Sequence, residues 1–112
     1  MIDCSAIIAN YQNRLIIDVR EKNEYDQGHL KTSVNIPLSE FRDRLDEIPK
    51  DCPVYLHCRS SQRSYNACMA LINRGYRNVW NISGSYLGIC LYEYFTDVTT
   101  GREKIVTEYN FK

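Results

Sequence analysis

One stretch of the chain, from Val54 to Ser64, most constrains how it can fold. It begins as a short apolar run, breaks into polar and basic residues at Cys58, and continues as a helical pattern from Ser61. This order predicts a buried strand that ends where a helix begins. The loop at such a junction points its backbone N–H groups inward, and the helix N-terminus adds partial positive charge. The pattern therefore predicts that Cys58 lies at a junction suited to an anion.

The neighbours of Cys58 predict a reactive thiol. Arg59 and Arg63 flank the expected pocket, and cationic groups lower the pKa of a cysteine. A thiol that ionises near neutral pH acts as a nucleophile. The alternative is a small packing residue, because free cysteines are commonly buried. The arginines and serines around Cys58 favour the nucleophile.

Predicted strands and helices alternate along the chain. Ser39 is expected to cap one helix and Gly75 to end another. The predicted strands are 15–20, 34–38, 54–56 and 79–82. The predicted helices are 21–27, 40–48, 61 to 73 or 74, and 86–95, after a short N-terminal helix that begins at 3–5 and ends at Asn10 or Tyr11. The alternation predicts an α/β fold with a mostly parallel central sheet of about four or five strands, covered by helices on both faces.

Length and composition indicate one domain. The chain has 112 residues, of which 44% are hydrophobic and 25% charged, as in ordinary globular domains. We expect residues 1–95 to form the domain. Residues 96–112 are more polar and are expected to form a C-terminal extension packed on or beside it.

The charge balance favours neither nucleic acid nor a membrane as partner. Lys and Arg together number 14, as do Asp and Glu, so the chain carries no net charge that would attract a polyanion. Its apolar runs are shorter than a membrane span. The N-terminus lacks the basic and then apolar pattern of a signal peptide, so the cytoplasm is the expected compartment.

The cysteines indicate neither a disulfide framework nor a metal site. Their number, five, is odd, and only two histidines occur, so we expect no metal. Cys68 and Cys90 fall in apolar helical patterns and are predicted to be packing residues. Cys4 and Cys52 look peripheral, and a resolving role for one of them stays open.

An ordered series of motifs resembles the rhodanese domains. The motifs are Asp18-Val19-Arg20-Glu21, Glu24-Tyr25, Gly28-His29-Leu30, Ser33-Val34-Asn35-Ile36-Pro37-Leu38, the active-loop stretch Tyr55-Leu56-His57-Cys58-Arg59-Ser60-Ser61-Gln62-Arg63-Ser64, and Gly75-Tyr76 followed by Val79 and Ser83-Gly84. The resemblance covers about residues 14–92. It implies a rhodanese-like fold and sulfurtransferase activity, in which the loop cysteine takes a sulfane sulfur from a donor and passes it on.

The resemblance assigns roles to particular residues. Cys58 would carry the sulfur as a persulfide, from thiosulfate or a low-molecular-weight persulfide to a thiol or cyanide. Asp18 and Arg20, at a neighbouring strand end, would support the loop. The loop residues expected to bind the donor or the persulfide are Arg59, Ser60, Ser61, Gln62, Arg63 and Ser64.

The sequence departs from the family near its last helix and extends beyond it. Ser83-Gly84 stands where two glycines are common, and Tyr86 and Tyr92 stand in a helix where a tryptophan is common. The C-terminal segment resembles rhodanese domains of coenzyme A-disulfide reductase-type flavoproteins. This implies a flavoprotein disulfide reductase as partner or fusion. The chain has no nucleotide-binding fingerprint of its own, so we expect it to carry no cofactor.

Two other functions are alternatives to sulfur transfer. Phosphatases or arsenate reductases of this fold place an arginine six positions after the cysteine, whereas here Ser64 is sixth and Arg63 fifth. The shorter loop suits one sulfur atom better than a phosphate. A non-catalytic or regulatory module of a larger reductase is the second alternative, and the presence of Cys58 counts against it.

Overall fold

The chain folds around a parallel sheet of five strands. The computed structural model describes residues 2–3, 6–7, 10–100 and 106–107, without the side chains of 92 and 95–100. The strands are β1 (Ile2–Asp3), β2 (Leu15–Asp18), β3 (Val34–Asn35), β4 (Val54–His57) and β5 (Val79–Ser83), in the spatial order β1-β5-β4-β2-β3. The α-helices are α1 (Lys22–Asp26), α2 (Gln62–Asn73) and α3 (Ser85–Thr100). The predicted α/β fold is confirmed, and every strand pair is parallel.

Strand β4 lies at the centre of the sheet because it is apolar on both faces. Its residues Val54 and Leu56 are fully buried on one face, and Tyr55 is 8% exposed on the other. The neighbouring strand β2 runs in register with it, and Asp18 pairs with His57 at the carboxyl ends. Continuous apolar runs are typical of strands covered on both faces.

Two hydrophobic clusters cover the two faces of the sheet. One cluster contains Ile7, Tyr11, Ile16, Leu30, Tyr55, Ile82, Tyr86, Ile89, Cys90 and Val106. The other contains Ile17, Val19, Ile36, Phe41, Ile48, Val54, Leu56, Cys58, Ala67, Cys68, Leu71 and Tyr76. Adjacent residues of a strand belong to different clusters because their side chains point to opposite faces. Cys68 and Cys90 are packing residues, as predicted.

Helix α2 follows the cysteine loop and packs on the second cluster. Ala67 and Leu71 are fully buried one turn apart, as expected for a helix with one apolar face. The helix ends before Gly75, which has φ of 91°. Glycine adopts this left-handed conformation at little cost, so Gly75 ends the helix as predicted.

The predicted helix 40–48 is a 3-10 segment instead, Leu38–Glu47, interrupted at Arg44. Ser39 does not cap it; its Oγ donates to Glu21 Oε1 at 2.7 Å, and Pro37 precedes the segment. The apolar spacing of three and four residues fits both helix types, so it does not separate them. Another 3-10 turn, Tyr11–Asn13, precedes β2.

The N-terminal prediction was wrong at Asp3. This residue was expected in a helix cap but lies in β1, where it pairs with Ser83 of β5. Ala6 and Ile7 are helical, while Cys4, Ser5, Ile8 and Ala9 lie outside the described residues. A two-residue strand has no periodicity of its own, and pairing with β5 decides its conformation.

Helix α3 is longer than predicted and passes residue 95, where the domain was expected to end. It runs from Ser85 to Thr100. Beyond it, Val106 is fully buried and forms an antiparallel bridge with Leu30, and the Thr107 N–H donates to His29 O at 2.8 Å. Within the part of the chain that the structure describes, no helix combines the length and apolarity needed to cross a bilayer.

We expect Gly75→Ala to lower the free energy of unfolding by about 1 kcal/mol, the cost of a Cβ in the left-handed region. The nearest atom to such a Cβ is Lys50 Nζ at 3.9 Å, so no steric clash adds to this cost. Urea unfolding followed by circular dichroism measures it. The exposed helical substitution Asn66→Ala is the control and should leave stability unchanged or slightly raised. Equal stabilities of Gly75→Ala and wild type would contradict this origin of the helix end.

Candidate active site

Cys58 lies directly after β4, where the central strand gives way to a loop. Only 1% of the residue is exposed. The loop leads to α2 through Ser61, whose φ is 87°. This left-handed conformation is unfavourable for a residue with a Cβ. It turns the backbone so that an N–H group of the loop points back towards the cysteine, as in the anion-binding concavities called nests.

Hydrogen bonds surround the sulfur of Cys58. The Ser61 N–H donates to Sγ at 3.1 Å, and the Ser64 hydroxyl lies 3.5 Å from Sγ. Burial raises the pKa of the Cys58 thiol, but hydrogen bonds from the Ser64 side chain and from the backbone of Ser64, Ser60 and Ser61 outweigh it and hold the pKa below its ordinary value. Groups that donate to the thiolate favour the charged form. The thiolate, which is the nucleophilic form of cysteine, is therefore favoured relative to an ordinary cysteine.

The first residues of α3 brace the cysteine loop through backbone hydrogen bonds. The Tyr86 N–H donates to Cys58 O and the Leu87 N–H to Arg59 O, both at 3.0 Å. The Cys58 N–H in turn donates to Ser85 Oγ at 3.2 Å. Sequence reasoning missed Ser85 as part of the site. The sequence feature that could have revealed Ser85 is its position as a polar residue after Gly84, at the carboxyl end of a predicted strand. Functional groups gather at this edge of a parallel sheet.

Two of the predicted loop serines join the loop to β5. Ser61 Oγ donates to Ile82 O at 3.1 Å. The Ser64 hydroxyl lies 2.6 Å from Asn81 Oδ1, a second acceptor for the one proton that it can also donate to Cys58 Sγ. Ser64 is fully buried and Asn81 is nearly so. These bonds fix the start of α2 against the sheet, because a buried hydroxyl left without a partner is costly.

The two flanking arginines lie in different surroundings. Arg63 donates from Nη1 and Nη2 to the two carboxylate oxygens of Glu24, at 2.6 and 2.9 Å. Arg59 is half-buried, and its side chain makes no ion pair with any residue in the described ranges. The largest causes of the lowered pKa of Cys58 are hydrogen bonds, and the charge of the Cys58 thiolate in turn helps to raise the pKa of Arg63. Glu24 was quoted in a motif but not foreseen as the partner of Arg63.

Asp18 and Arg20 form a buried ion pair beside the loop. Arg20 donates through Nη2 to Asp18 Oδ2 at 2.8 Å and to Gly28 O at 2.7 Å. Its guanidinium carbon lies 4.0 Å from the centroid of the Tyr86 ring. Burial raises the pKa of Asp18, but the positive charge that His57 carries when it is protonated, and the charge and hydrogen bonds of Arg20, outweigh it and hold the pKa below its ordinary value.

His57 occupies the space between this ion pair and Cys58. It is fully buried; its Nδ1 lies 3.0 Å from Cys58 O and its Nε2 lies 3.8 Å from Asp18 Oδ2. Burial lowers the pKa of His57, and the Asp18 charge opposes this only in part. The ring is therefore neutral near pH 7 and donates from Nδ1 to the Cys58 carbonyl.

The predicted loop residues Ser60 and Gln62 lie at the surface. Together with Ser61 and Tyr65 they line a shallow depression of about 300 Å³, which Cys58 itself does not line. Among the residues that the structure describes, no group of three His, Cys, Asp or Glu side chains is placed to hold a metal ion.

Comparison with known proteins finds a matching family and relatives that are similar in sequence to this chain. The family model for the rhodanese-like domain matches residues 3–91. The Bacillus subtilis (strain 168) protein YqhL is 42% identical over 70% of this chain and 62% of its own length. A protein of Allochromatium vinosum named "Sulfurtransferase" is 36% identical over 71% of this chain and 75% of its own length.

A solved structure resembles the chain over most of its length. The crystal structure of reduced Bacillus anthracis CoADR-RHD superposes with a TM-score of 0.71 at 37% identity and covers 88% of this chain. The chain spans only 17% of that protein, and 62% of YqhL. Domains like this one therefore occur within longer proteins.

We expect Asp18→Asn to lower the free energy of unfolding by about 3 to 5 kcal/mol, because it leaves the buried Arg20 without its counter-charge. Because the pKa of Asp18 is lowered in the folded state, its stabilisation is complete above about pH 5 and is lost as the pH falls through the folded-state value. Urea unfolding at pH 7 and at lower pH values measures both effects.

The matched control for Asp18→Asn is Asp26→Asn. Asp26 pairs with Lys22, and these side chains are 55% and 76% exposed, so its loss should cost less than about 1 kcal/mol. Equal losses in the two variants would contradict a structural role for the buried pair.

We expect Ser64→Ala to raise the pKa of the Cys58 thiol, because the thiolate loses a hydrogen-bond donor. The rate of iodoacetamide alkylation at Cys58, followed against pH by peptide mass spectrometry, should then rise at higher pH than in wild type. Cys68 is a slow internal reference, since burial raises its pKa to about 11. Ser60→Ala is the control, because Ser60 acts on the sulfur through its backbone. A profile for Ser64→Ala identical to that of wild type would contradict the assignment.

Proposed function

The chain belongs to the rhodanese-like domain family, and from that premise we propose that it transfers sulfane sulfur as a persulfide carried on Cys58. The family and the relative named as a sulfurtransferase support a sulfur-transfer role. The observation that carries the proposal is the Ser61 N–H aimed at Cys58 Sγ at 3.1 Å. A backbone donor fixed on a buried sulfur stabilises the thiolate before reaction and a sulfur anion after it.

In the first step the Cys58 thiolate attacks the outer sulfur of the donor. With thiosulfate, a bond forms between the two sulfur atoms, the sulfur–sulfur bond of the donor breaks, and sulfite leaves with the electron pair. The lowered pKa raises the fraction of Cys58 that is thiolate before the donor binds. The outer sulfur then lies among the loop N–H groups.

In the second step the persulfide anion takes a proton from solvent, and an acceptor thiolate or cyanide attacks its outer sulfur. The bond to Cys58 breaks, and its electron pair returns to Sγ as the thiolate. The proton of the persulfide goes to solvent with cyanide or stays on the new persulfide with a thiol acceptor. Because Cys58 is only 1% exposed, both reactants have to reach it through the loop that Ser60, Ser61 and Gln62 border.

The remaining site residues position the loop and the donor. Arg59, which has no ion-pair partner among the described residues, would attract an anionic donor. Asp18 and Arg20 would hold the carboxyl end of β2 beside the loop, and Ser64 would keep the start of α2 fixed to Asn81. The donor meets only the loop, so Asp18 and Arg20 are positioning residues.

Phosphatase or arsenate reductase chemistry has less support. It needs an arginine that clamps a tetrahedral anion, and the Arg63 guanidinium is occupied by Glu24. A loop that directs a hydrogen-bond donor at one sulfur atom suits a persulfide better than it suits a phosphate group.

The chain would work as one module in the cytoplasm. We assign residues 1–95 to the sulfur-carrying domain and residues 96–112 to the extension, although α3 continues to Thr100. The similarity to 17% of the Bacillus anthracis CoADR-RHD chain supports a disulfide reductase as partner or fusion. Neither nucleic acid nor a membrane is part of the proposal.

Brief incubation with thiosulfate should add the mass of one sulfur atom to the wild-type protein, and a mild reductant should remove it. Cys58→Ser should gain no mass, because the sulfur has no nucleophile to attach to. Intact-mass spectrometry before and after the reductant measures both. The proposal also expects glutathione persulfide to load the same residue.

Cys52→Ser is the matched control, since Cys52 is a free and half-buried cysteine elsewhere on the chain. It should gain the sulfur as wild type does. A sulfur adduct on Cys58→Ser would place the chemistry on another cysteine. No adduct on wild type with either donor would favour the non-catalytic or regulatory module.

A further inference from the structure

The placement of Arg63 is unusual for a cation five positions after a nucleophilic cysteine. Arg63 is the second residue of α2, at the helix end that faces the loop. Both of its terminal nitrogens donate to Glu24, at 2.6 and 2.9 Å. This bidentate geometry is the strongest arrangement an arginine makes with a carboxylate. The side chains are 36% and 30% exposed, so the pair borders the surface and a small anion in solvent can approach it.

Glu24 is itself held in place by the start of α1. Its Oε1 accepts the Glu21 N–H at 3.2 Å, and the Glu21 side chain accepts the backbone N–H of Glu24. This reciprocal capping box fixes the carboxylate. The Arg63 hydrogen bond holds the pKa of Glu24 below its ordinary value, so the group is charged throughout the neutral range. A fixed carboxylate thus lies against Arg63, the cation at the loop end of α2.

Most of the positive charge around the loop is compensated. Arg20 pairs with Asp18 and Arg63 pairs with Glu24. Of the arginines that the sequence places near Cys58, only Arg59 lacks an ion pair with a described residue. A dianion such as thiosulfate would meet one cation that has no ion pair within the described residues, and one fixed carboxylate. Like charges at close range disfavour binding.

We propose that Glu24 is a specificity-determining residue that selects against thiosulfate and for low-molecular-weight persulfides as sulfur donors. This rests on the sulfur-transfer function proposed above. Thiosulfate carries its charge on the sulfonate joined directly to the transferred sulfur, so a carboxylate held on Arg63 at the loop end of α2 would repel it. In a persulfide of a thiol such as glutathione, the carboxylates lie several bonds from the transferred sulfur.

The favoured reaction balances without an added oxidant or reductant. The Cys58 thiolate attacks the outer sulfur of R–S–SH, a new sulfur–sulfur bond forms, and the donor's own sulfur–sulfur bond breaks. The thiolate R–S⁻ leaves with the electron pair, and the proton stays on the transferred sulfur. The leaving sulfur of the thiolate carries one negative charge and the other charges of glutathione lie several bonds away, whereas both charges of sulfite lie on the leaving group itself.

The test compares thiosulfate and glutathione persulfide as donors for wild type and Glu24→Gln. Glutamine keeps an oxygen for the Glu21 N–H and an uncharged contact with Arg63, so the capping box is preserved. We expect kcat/KM for thiosulfate to rise about tenfold through a lower KM, since about 1.4 kcal/mol of repulsion is removed. For glutathione persulfide it should change less than about twofold. Thermal unfolding verifies that the variant is folded.

Two control variants separate charge from structure. Glu24→Asp keeps the charge and should leave the donor preference as in wild type. Glu47→Gln removes a carboxylate from another arginine pair, that of Arg44 on the 3-10 segment, and should change neither donor. A gain for thiosulfate in Glu24→Gln alone supports the proposal. An unchanged donor ratio in Glu24→Gln, or the same change in Glu24→Asp, overturns it.

Wild type alone gives a further test that does not depend on any variant. The proposal requires a higher kcat/KM for glutathione persulfide than for thiosulfate, and the reverse order overturns it. A failure of the sulfur-transfer function itself has a different signature, because then neither donor adds sulfur to Cys58 in wild type.

Discussion

The geometry around Cys58 depends on the buried ion pair of Asp18 with Arg20. Arg20 reaches from the end of β2 to Gly28 O and to the ring of Tyr86, and Asn35 of β3 donates to the carbonyl oxygens of Asp18 and Arg20. One polar cluster thereby joins two strand ends, the turn after α1 and the start of α3. A buried charge without its partner is strongly destabilising, so these segments hold their positions together. The cysteine loop begins beside this cluster, because His57 lies between Asp18 and the Cys58 carbonyl.

The chemistry of the loop comes from backbone geometry more than from net charge. Ser61 has an unfavourable φ of 87°, and this conformation directs its N–H towards the sulfur. A strained backbone conformation persists where the surrounding contacts fix it in place. Here the hydrogen bonds that join Ser61 and Ser64 to β5 fix the conformation of Ser61. The arginines that look catalytic in the sequence are mostly paired with carboxylates. The strongest contacts of the Cys58 sulfur are instead hydrogen bonds, one of them from the Ser61 N–H.

Sequence reasoning reached the central elements because their signals are local. The apolar runs of β2 and β4, the loop at Cys58 and the glycine that ends α2 each follow from a short pattern. The pairing of Glu24 with Arg63 could not be read in this way, since it joins side chains 39 positions apart that only the fold brings together. Strand β1 was missed for the same reason: Ile2 and Asp3 are extended because β5 lies beside them. The 3-10 form of Leu38–Glu47 escaped because its apolar spacing fits two helical periods.

The strand order has a consequence for how copies of the protein behave towards one another. The two edges of the sheet are β1 and β3, and each has only two residues. Pro37 follows β3 directly after Ile36, and a proline has no N–H to donate to a further strand. Long unpaired edges are templates on which sheets of different molecules join and aggregate. Among the described residues, the longer ladders of hydrogen bonds join interior strands. The two short edges therefore present few unpaired N–H and C=O groups to a neighbouring molecule, and the fold resists edge-to-edge polymerisation.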